Sequence, residues 1–599
     1  MDEVKFIGSE FTGTNQLTVA AFSSLETLRF ENMQRWEVWS TNNEVFDAVF
    51  PCLRELQIED CPRLIEVSLK PLHSVKILRF KNMRGWKGWS TNSEVLVLPS
   101  LRELHITSCP EMIVFSPEKL PKLEILWFTN MLGWKIWSTK DAIFPCLREL
   151  YINNCPELID VSIEALPLLR VLNISECGDG VLRSLVEVAP SITMLDIRYI
   201  SRLTYEVWSG VMEHIGAVEE VRIQGCNEIR YLWESEEEAS KVLVNIKKLV
   251  VFECSNLVSL GEKEEEDNFG SSLLSSLRWL KVYHCNKLEH CCCPNSIERL
   301  QIEWCSSLTH VSFPTSATRG GGGGQKLKSL EIWGCSKLIE KINNINTGVL
   351  KRIYIRGWTN LKSMMQLGNF ISLTKLYLDD CLSLESFPDI PLPVLTHLEI
   401  VNCERVESFS THQMSNLTSL KELVIRNCPS IDVSSHGGVW PPNLCSLKIG
   451  RLKKPMSEWG PQSFPYSFVE LKLYDEADVK NFCELSHLLL PSSLTNLTID
   501  NFEKLESLSM GLQHLTSLQY LNIYGCPKMK HLPKQLLPSL LSLYIIYCPK
   551  LEKRCEGRGS HYYPLISHIP EIRIYSELKE MRIVVELNLG ARERNTRRA

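Results

Sequence analysis

A long solenoid of parallel strands is the fold the sequence predicts, and three observations predict it. The stretch Leu53 to Leu64, LRELQIEDCPRL, has the pattern L-x-x-L-x-I-x-x-C-x-x-L, and that pattern returns from one end of the chain to the other. Aligned on its three leading apolar positions, at i, i+3 and i+5, the pattern occurs 22 times between Leu25 and Leu540, which lie 515 residues apart over 21 steps. The mean step near 24.5 residues falls inside the roughly 20 to 29 residues of one repeat class. At the ninth position a cysteine stands in fourteen units, among them Cys61, Cys109, Cys177, Cys285, Cys428 and Cys548.

The repeat is a leucine-rich repeat. Its apolar positions alternate along a short strand, the cysteine turns the chain inward, and the last leucine closes the coil under its neighbour. One unit cannot bury that face alone, so the units must stack. The expected architecture is an α/β right-handed solenoid of horseshoe form, with a parallel concave sheet of about 22 or more short strands. Helical periodicity is weak throughout, which leaves the convex side to loops and short helical turns.

Residues 1–24 read as a leading segment without a polar-faced cap, expected to continue from upstream repeats that the chain lacks. The repeat domain is expected over 25–576. It starts with three copies of a two-unit block, carrying ENMQRWEVWSTN, KNMRGWKGWSTN and TNMLGWKIWSTK. Met33, Met83 and Met131 fill the cysteine slot there. The pairs Trp36 and Trp39, Trp86 and Trp89, and Trp134 and Trp137 read as apolar filler of the coil in preference to an aromatic binding ladder. From 169 to 350 the steps vary from 20 to 31 residues. The glycine run Gly320 to Gly324 and the acidic runs Glu236 to Glu238 and Glu262 to Asp267 are expected to be solvated loops there. Near the end, HYYPLISHIPEIRI supplies one more strand, Glu571 to Ile574, resembling a cap. The tail 577–599, with its basic ARERNTRRA, reads as a disordered end and not as a nucleic-acid arm.

A formal charge of −6 over 599 residues gives no global reason to expect nucleic acid or an anionic membrane. The start MDEVKFIGSEF has no apolar core of signal-peptide length, and no apolar run is long enough to span a bilayer. Fourteen of the 22 cysteines share one buried slot, so reduced thiols and a cytoplasmic location are expected. The cluster His284, Cys285, His290, Cys291, Cys292 and Cys293 has zinc-type donors, but contiguous cysteines cannot all point at one metal. No phosphate loop, H-E-x-x-H, G-x-S-x-G or calcium-loop pattern is present. The expectation is a protein with no enzymatic activity and no cofactor.

What remains is a periodic outward face. The residues flanking the inward positions of each strand vary from unit to unit, and several are aromatic or arginine, the types enriched in protein-binding hot spots. The densest stretch combines Lys281, Tyr283, Glu303, Trp304, Glu331, Trp333, Tyr354, Arg356, Tyr377 and Asp379. It is expected to bind protein, as a strip of equivalent positions on adjacent strands.

The repeat form LxxLxIxxCPxL, the block AFSSLETLRFENMQRWEVWST, the IGSEF at 7 to 11, and the closing LLPSLLSLYIIYCPKLEKRC with HIPEI resemble one family over residues 1 to 575. That family is the plant intracellular disease-resistance proteins of the coiled-coil, nucleotide-binding, leucine-rich-repeat type, in their repeat region. The resemblance implies recognition of pathogen effectors, or of host proteins that effectors modify, and regulation of a nucleotide-binding module. Members carry a coiled coil and an ATPase module ahead of such repeats; neither is in this sequence, so ATP binding is assigned to no residue. The alternative is a repeat adaptor that presents substrates to a ubiquitin ligase.

Overall fold

In a computed structural model, the described residues are 4–7, 22–40, 50–68, 73–87, 98–115, 120–138, 144–234, 236–261, 274–313, 325–338, 342, 345–364, 370–387, 392–508, 511–555 and 560–575. The chain forms two compact units, Met1–Lys326 and Leu327–Ala599. Each is a leucine-rich repeat β-solenoid. The first unit contributes twelve strands to its main sheet, from Thr27–Glu31 to Arg299–Glu303. The second contributes eleven, from Ser329–Trp333 to Glu571–Tyr575. All pair in parallel and follow chain order, so every aligned repeat supplies one strand and Glu571–Tyr575 adds the closing one.

Register follows from the side-chain alternation. In Glu55–Glu59 the second and fourth residues, Leu56 and Ile58, are fully buried, and the first, third and fifth are half-buried. Leu376, Leu398 and Leu423 stand opposite one another on three successive strands. A slip of one residue would turn every leucine outward, so burial pins the register.

A left-handed residue stands at the end of the main-sheet strands from Thr27–Glu31 to Ser542–Ile546. Asn32, Asp60, Asn82, Ser108, Asn130 and Asn154 have φ between 51° and 58°, and Gly225, Gly334, Gly357 and Gly525 occupy the same slot. Asparagine, aspartate and glycine tolerate that conformation best. It aims the N–H at a carbonyl near the end of the following strand, as from Asp380 to Val401 at 3.0 Å. The side chains add their own ladder: Asn427 Nδ2 donates to Asn402 Oδ1 at 2.8 Å, and Asn402 Nδ2 to Asp379 Oδ1 at 2.8 Å.

The next residue is the buried cysteine. Its thiol donates to the carbonyl two residues earlier, at 3.3 Å in Cys61 and 3.2 Å in Cys403, which satisfies the sulfur inside the turn. Burial pushes the Cys61 thiol up to about 11 and that of Cys109 to about 12. All 22 cysteines are free.

Short secondary sheets line the return path of the first unit. One joins Phe6–Ile7, Val38–Ser40 and Glu66–Ser68, and another joins Val114–Phe115, Ile136–Ser138 and Asp160–Ser162. Trp36, Trp39, Trp86, Trp134 and Trp137 lie within or beside these strands, each at most 1% exposed. They are core filler; Trp89 lies outside the described residues. The His290–Cys292 strand sends Cys291 and Cys293 inward, sulfur to sulfur at 3.7 Å. Among the described residues no group of three metal-type ligands converges.

Helix is sparse. Among the described residues Asp179–Glu187 and Tyr205–Met212 are the longest α-helices, and Glu236–Val242 departs from the expected loop. Glutamate is a good helix former, which accounts for the difference. The runs at 262–267 and 320–324 and the tail 577–599 lie outside the described residues. Among the described residues no helix is long and apolar enough to cross a membrane.

Candidate protein-binding face

The third and fifth residues of each main-sheet strand form two rows on the open face, because parallel pairing keeps equivalent positions in register. In the first unit, Lys281 and Tyr283 are the third and fifth residues of Trp279–Tyr283, and Glu303 is the fifth of Arg299–Glu303. Tyr283 stands opposite Glu303. Lys281 Nζ pairs with Glu303 Oε1 at 2.9 Å and lies 5.5 Å from the Tyr283 ring centre.

Trp304 stands elsewhere than expected. With φ of 55° it is the left-handed turn residue after its strand, one step beyond the face rows. Its counterpart in the preceding coil is His284, on which it stacks at 6.2 Å, and it is 43% exposed. It therefore projects from the rim of its sheet, one residue past the fifth-position row to which Glu303 belongs. A reading by alternation alone places it wrongly, because alternation stops where the turn starts.

In the second unit, Glu331, Tyr354 and Tyr377 are in register in the third-residue row, and Trp333, Arg356 and Asp379 in the fifth. The Tyr354 and Tyr377 rings stack 4.2 Å apart, 8° from parallel. Burial, followed by the hydrogen bond with Tyr354, raises the pKa of Tyr377. Arg356 Nε meets Asp379 Oδ2 at 3.2 Å. Glu331 is buried among these neighbours. The predicted residues thus divide into a group on each unit, and most already engage one another.

Sequence reading places Trp127 and Tyr151 on this face as well, but it missed Trp279 and His105. Trp279, a first-position residue, is sandwiched between Lys248 at 4.2 Å and Arg299 at 4.7 Å, and donates to Gln301 at 2.8 Å. His105, Trp127 and Tyr151 stack on three successive strands at 6.0 and 4.1 Å. Comparing equivalent positions column by column would have added Trp279 and His105.

Comparison with known proteins sets this geometry in context. No family model matches the chain. The Arabidopsis thaliana protein At3g14460, named for disease resistance, is 25% identical over 390 residues, which are 62% of this chain and 24% of that protein. The disease resistance protein RPP4 of the same plant is 23% identical over 251 residues, 38% of this chain and 20% of that protein. The chain resembles the leucine-rich repeat region of plant disease resistance proteins. It spans about a quarter or less of the length of these relatives.

Among solved structures, the repeat region is similar to a TLR13–ssRNA13 complex, with a TM-score of 0.44 and 13% identity over 92% of this chain and 82% of that one. It is also similar to the circular repeat protein CroV588, at 0.43 and 14% over 90% and 85%. YopM from Yersinia enterocolitica gives 0.38 and 16% over 86% and 90%.

Proposed function

We propose that this chain is the recognition module of a plant innate-immunity receptor, a cytoplasmic repeat region that binds pathogen effectors or host proteins altered by them. In a full-length parent it would also contact and restrain that protein's nucleotide-binding module. The observation that carries this reading is the open sheet face, on which a fixed inward frame of leucines holds a variable set of tyrosine, tryptophan, arginine and acidic side chains. Such residues on a rigid support suit protein recognition, because little side-chain freedom is left to lose on binding. The resistance-protein relatives support placing that recognition in defence. The module is proposed to act by binding alone, without catalysis or a cofactor.

The test is a pairwise interaction screen of the chain against a cloned effector collection, followed by a leaf cell-death assay with a resistance receptor carrying this region. Trp333→Ala and Arg356→Ala should each weaken a genuine effector interaction by about 1 to 2 kcal/mol and leave the melting temperature nearly unchanged. Trp304→Ala tests the rim separately. Loss of melting temperature with intact binding would make these side chains structural and refute the assignment.

A further inference from the structure

On the second unit's open face, tyrosines that neighbour each other directly seal each other's faces, as Tyr354 and Tyr377 do. A different arrangement occurs further along. Tyr474, Asp500 and Tyr524 are the fifth residues of three consecutive strands, Glu470–Tyr474, Asn496–Asp500 and Tyr520–Tyr524, and they stand in register. The two rings are two strands apart, about 9.6 Å, too far to stack on one another. The short aspartate lies between them, so two aromatic walls flank a carboxylate floor.

Among the described residues, the surroundings give that carboxylate no direct partner. Asp475 is met by Arg451 at 3.6 Å, by Arg426 at 4.0 Å and by Asn501 at 2.7 Å. Glu422 is met by His397 at 2.7 Å and by Lys448. No hydrogen bond or ion pair reaches the Asp500 side chain among the described residues. Burial, then the neighbouring Asp475, raises its pKa, while Arg426 and Lys472 act on it only from a distance. Arg426 is held elsewhere: it crosses over Gly450, which has no side chain to block it, and lies 3.9 Å from the Tyr474 ring centre. Its strand and that of Asp500 lie on opposite sides of the Tyr474 strand.

We propose that the Tyr474–Asp500–Tyr524 slot receives an arginine side chain of the partner protein. This rests on the protein-binding reading given above and names the chemistry of one contact within it. A guanidinium midway between the rings would lie about 4.8 Å from each, within the roughly 6 Å at which a cation is attracted to an aromatic face. Its planar fork matches a carboxylate in two hydrogen bonds. Arginine satisfies the walls and the floor together.

The test is selection of a random 12-residue peptide library on the full chain, with binding of the selected peptides measured before and after replacing each arginine by citrulline, its uncharged isostere. The expected result is enrichment of arginine at one position, a loss of affinity of tenfold or more with citrulline, and the same loss from Asp500→Asn without citrulline. The citrulline comparison needs no variant of the protein, so it decides even if Asp500→Asn folds poorly. Peptides that bind without an arginine requirement, or that bind Asp500→Asn as tightly as the parent, would overturn the slot and leave the protein-binding reading standing. A selection that enriches nothing would overturn both.

Discussion

At the scale of single residues, most polar groups of this chain are placed where the coil satisfies them, and His436 is an exception. It ends the short 3-10 turn Val433–His436, is 2% exposed and packs edge-on against Trp440 at 4.8 Å. Its Nδ1 is buried without a hydrogen-bond partner. Burial lowers its pKa from an ordinary 6.5 to about 4, against smaller opposing pulls from backbone groups of His436 and Val439 and then from Asp432. On acidification the unfolded chain therefore takes up the proton first. Stability from this group is complete above about pH 6.5 and drains away as the pH falls toward 4. Between pH 7 and 5 the loss should be about 2 kcal/mol. His436→Phe should flatten that part of a melting-temperature profile against pH, and an unchanged slope would show that His436 is not the titrating group.

At the scale of the element, the strand with its turn is the working unit, and its two faces have separate duties. The inward pair, such as Leu398 and Ile400, is at most 1% exposed and sits between equivalent leucines and isoleucines on both neighbouring strands. Leu398→Asp places an unpaired carboxylate there and should cost about 3 kcal/mol or more. Thermal melting equal to that of the parent would refute the inward assignment. The outward positions of the same strand, His397 and Glu399, are half-buried, and His397 meets Glu422 at 2.7 Å on the open face. This separation explains how one frame carries a changing surface.

At the scale of the whole molecule, stacked units make stability a sum of neighbour contacts instead of the property of one central core. The thiols report on that stacking. Cys52 and Cys483 are exposed, while the turn-position thiols are buried; burial holds Cys61 near 11, and Cys109 and Cys285 near 12. The native protein at pH 8 should therefore alkylate first at Cys52 and Cys483, and the turn-position thiols should react only in denaturant. All 22 should titrate after denaturation without reductant. Rapid native labelling of Cys109 or Cys285, mapped by mass spectrometry, would contradict the packed spine.

The same scale shows how much was legible beforehand. The period, strand positions, buried cysteines and tryptophan filler follow from the sequence alone, because each repeats one local rule and a strand's alternation decides which side faces its neighbour. The face itself was legible only as residue types. Whether Tyr354 meets Tyr377, whether Arg426 reaches across Gly450 to Tyr474, and whether Trp304 lies in a row or on the rim all depend on which residues register brings opposite one another and on where the left-handed turn interrupts alternation. Those pairings join residues more than twenty positions apart in sequence, so no local pattern encodes them. Sequence determined the frame because burial acts on every unit alike; tertiary structure decided the surface because its contacts form between units.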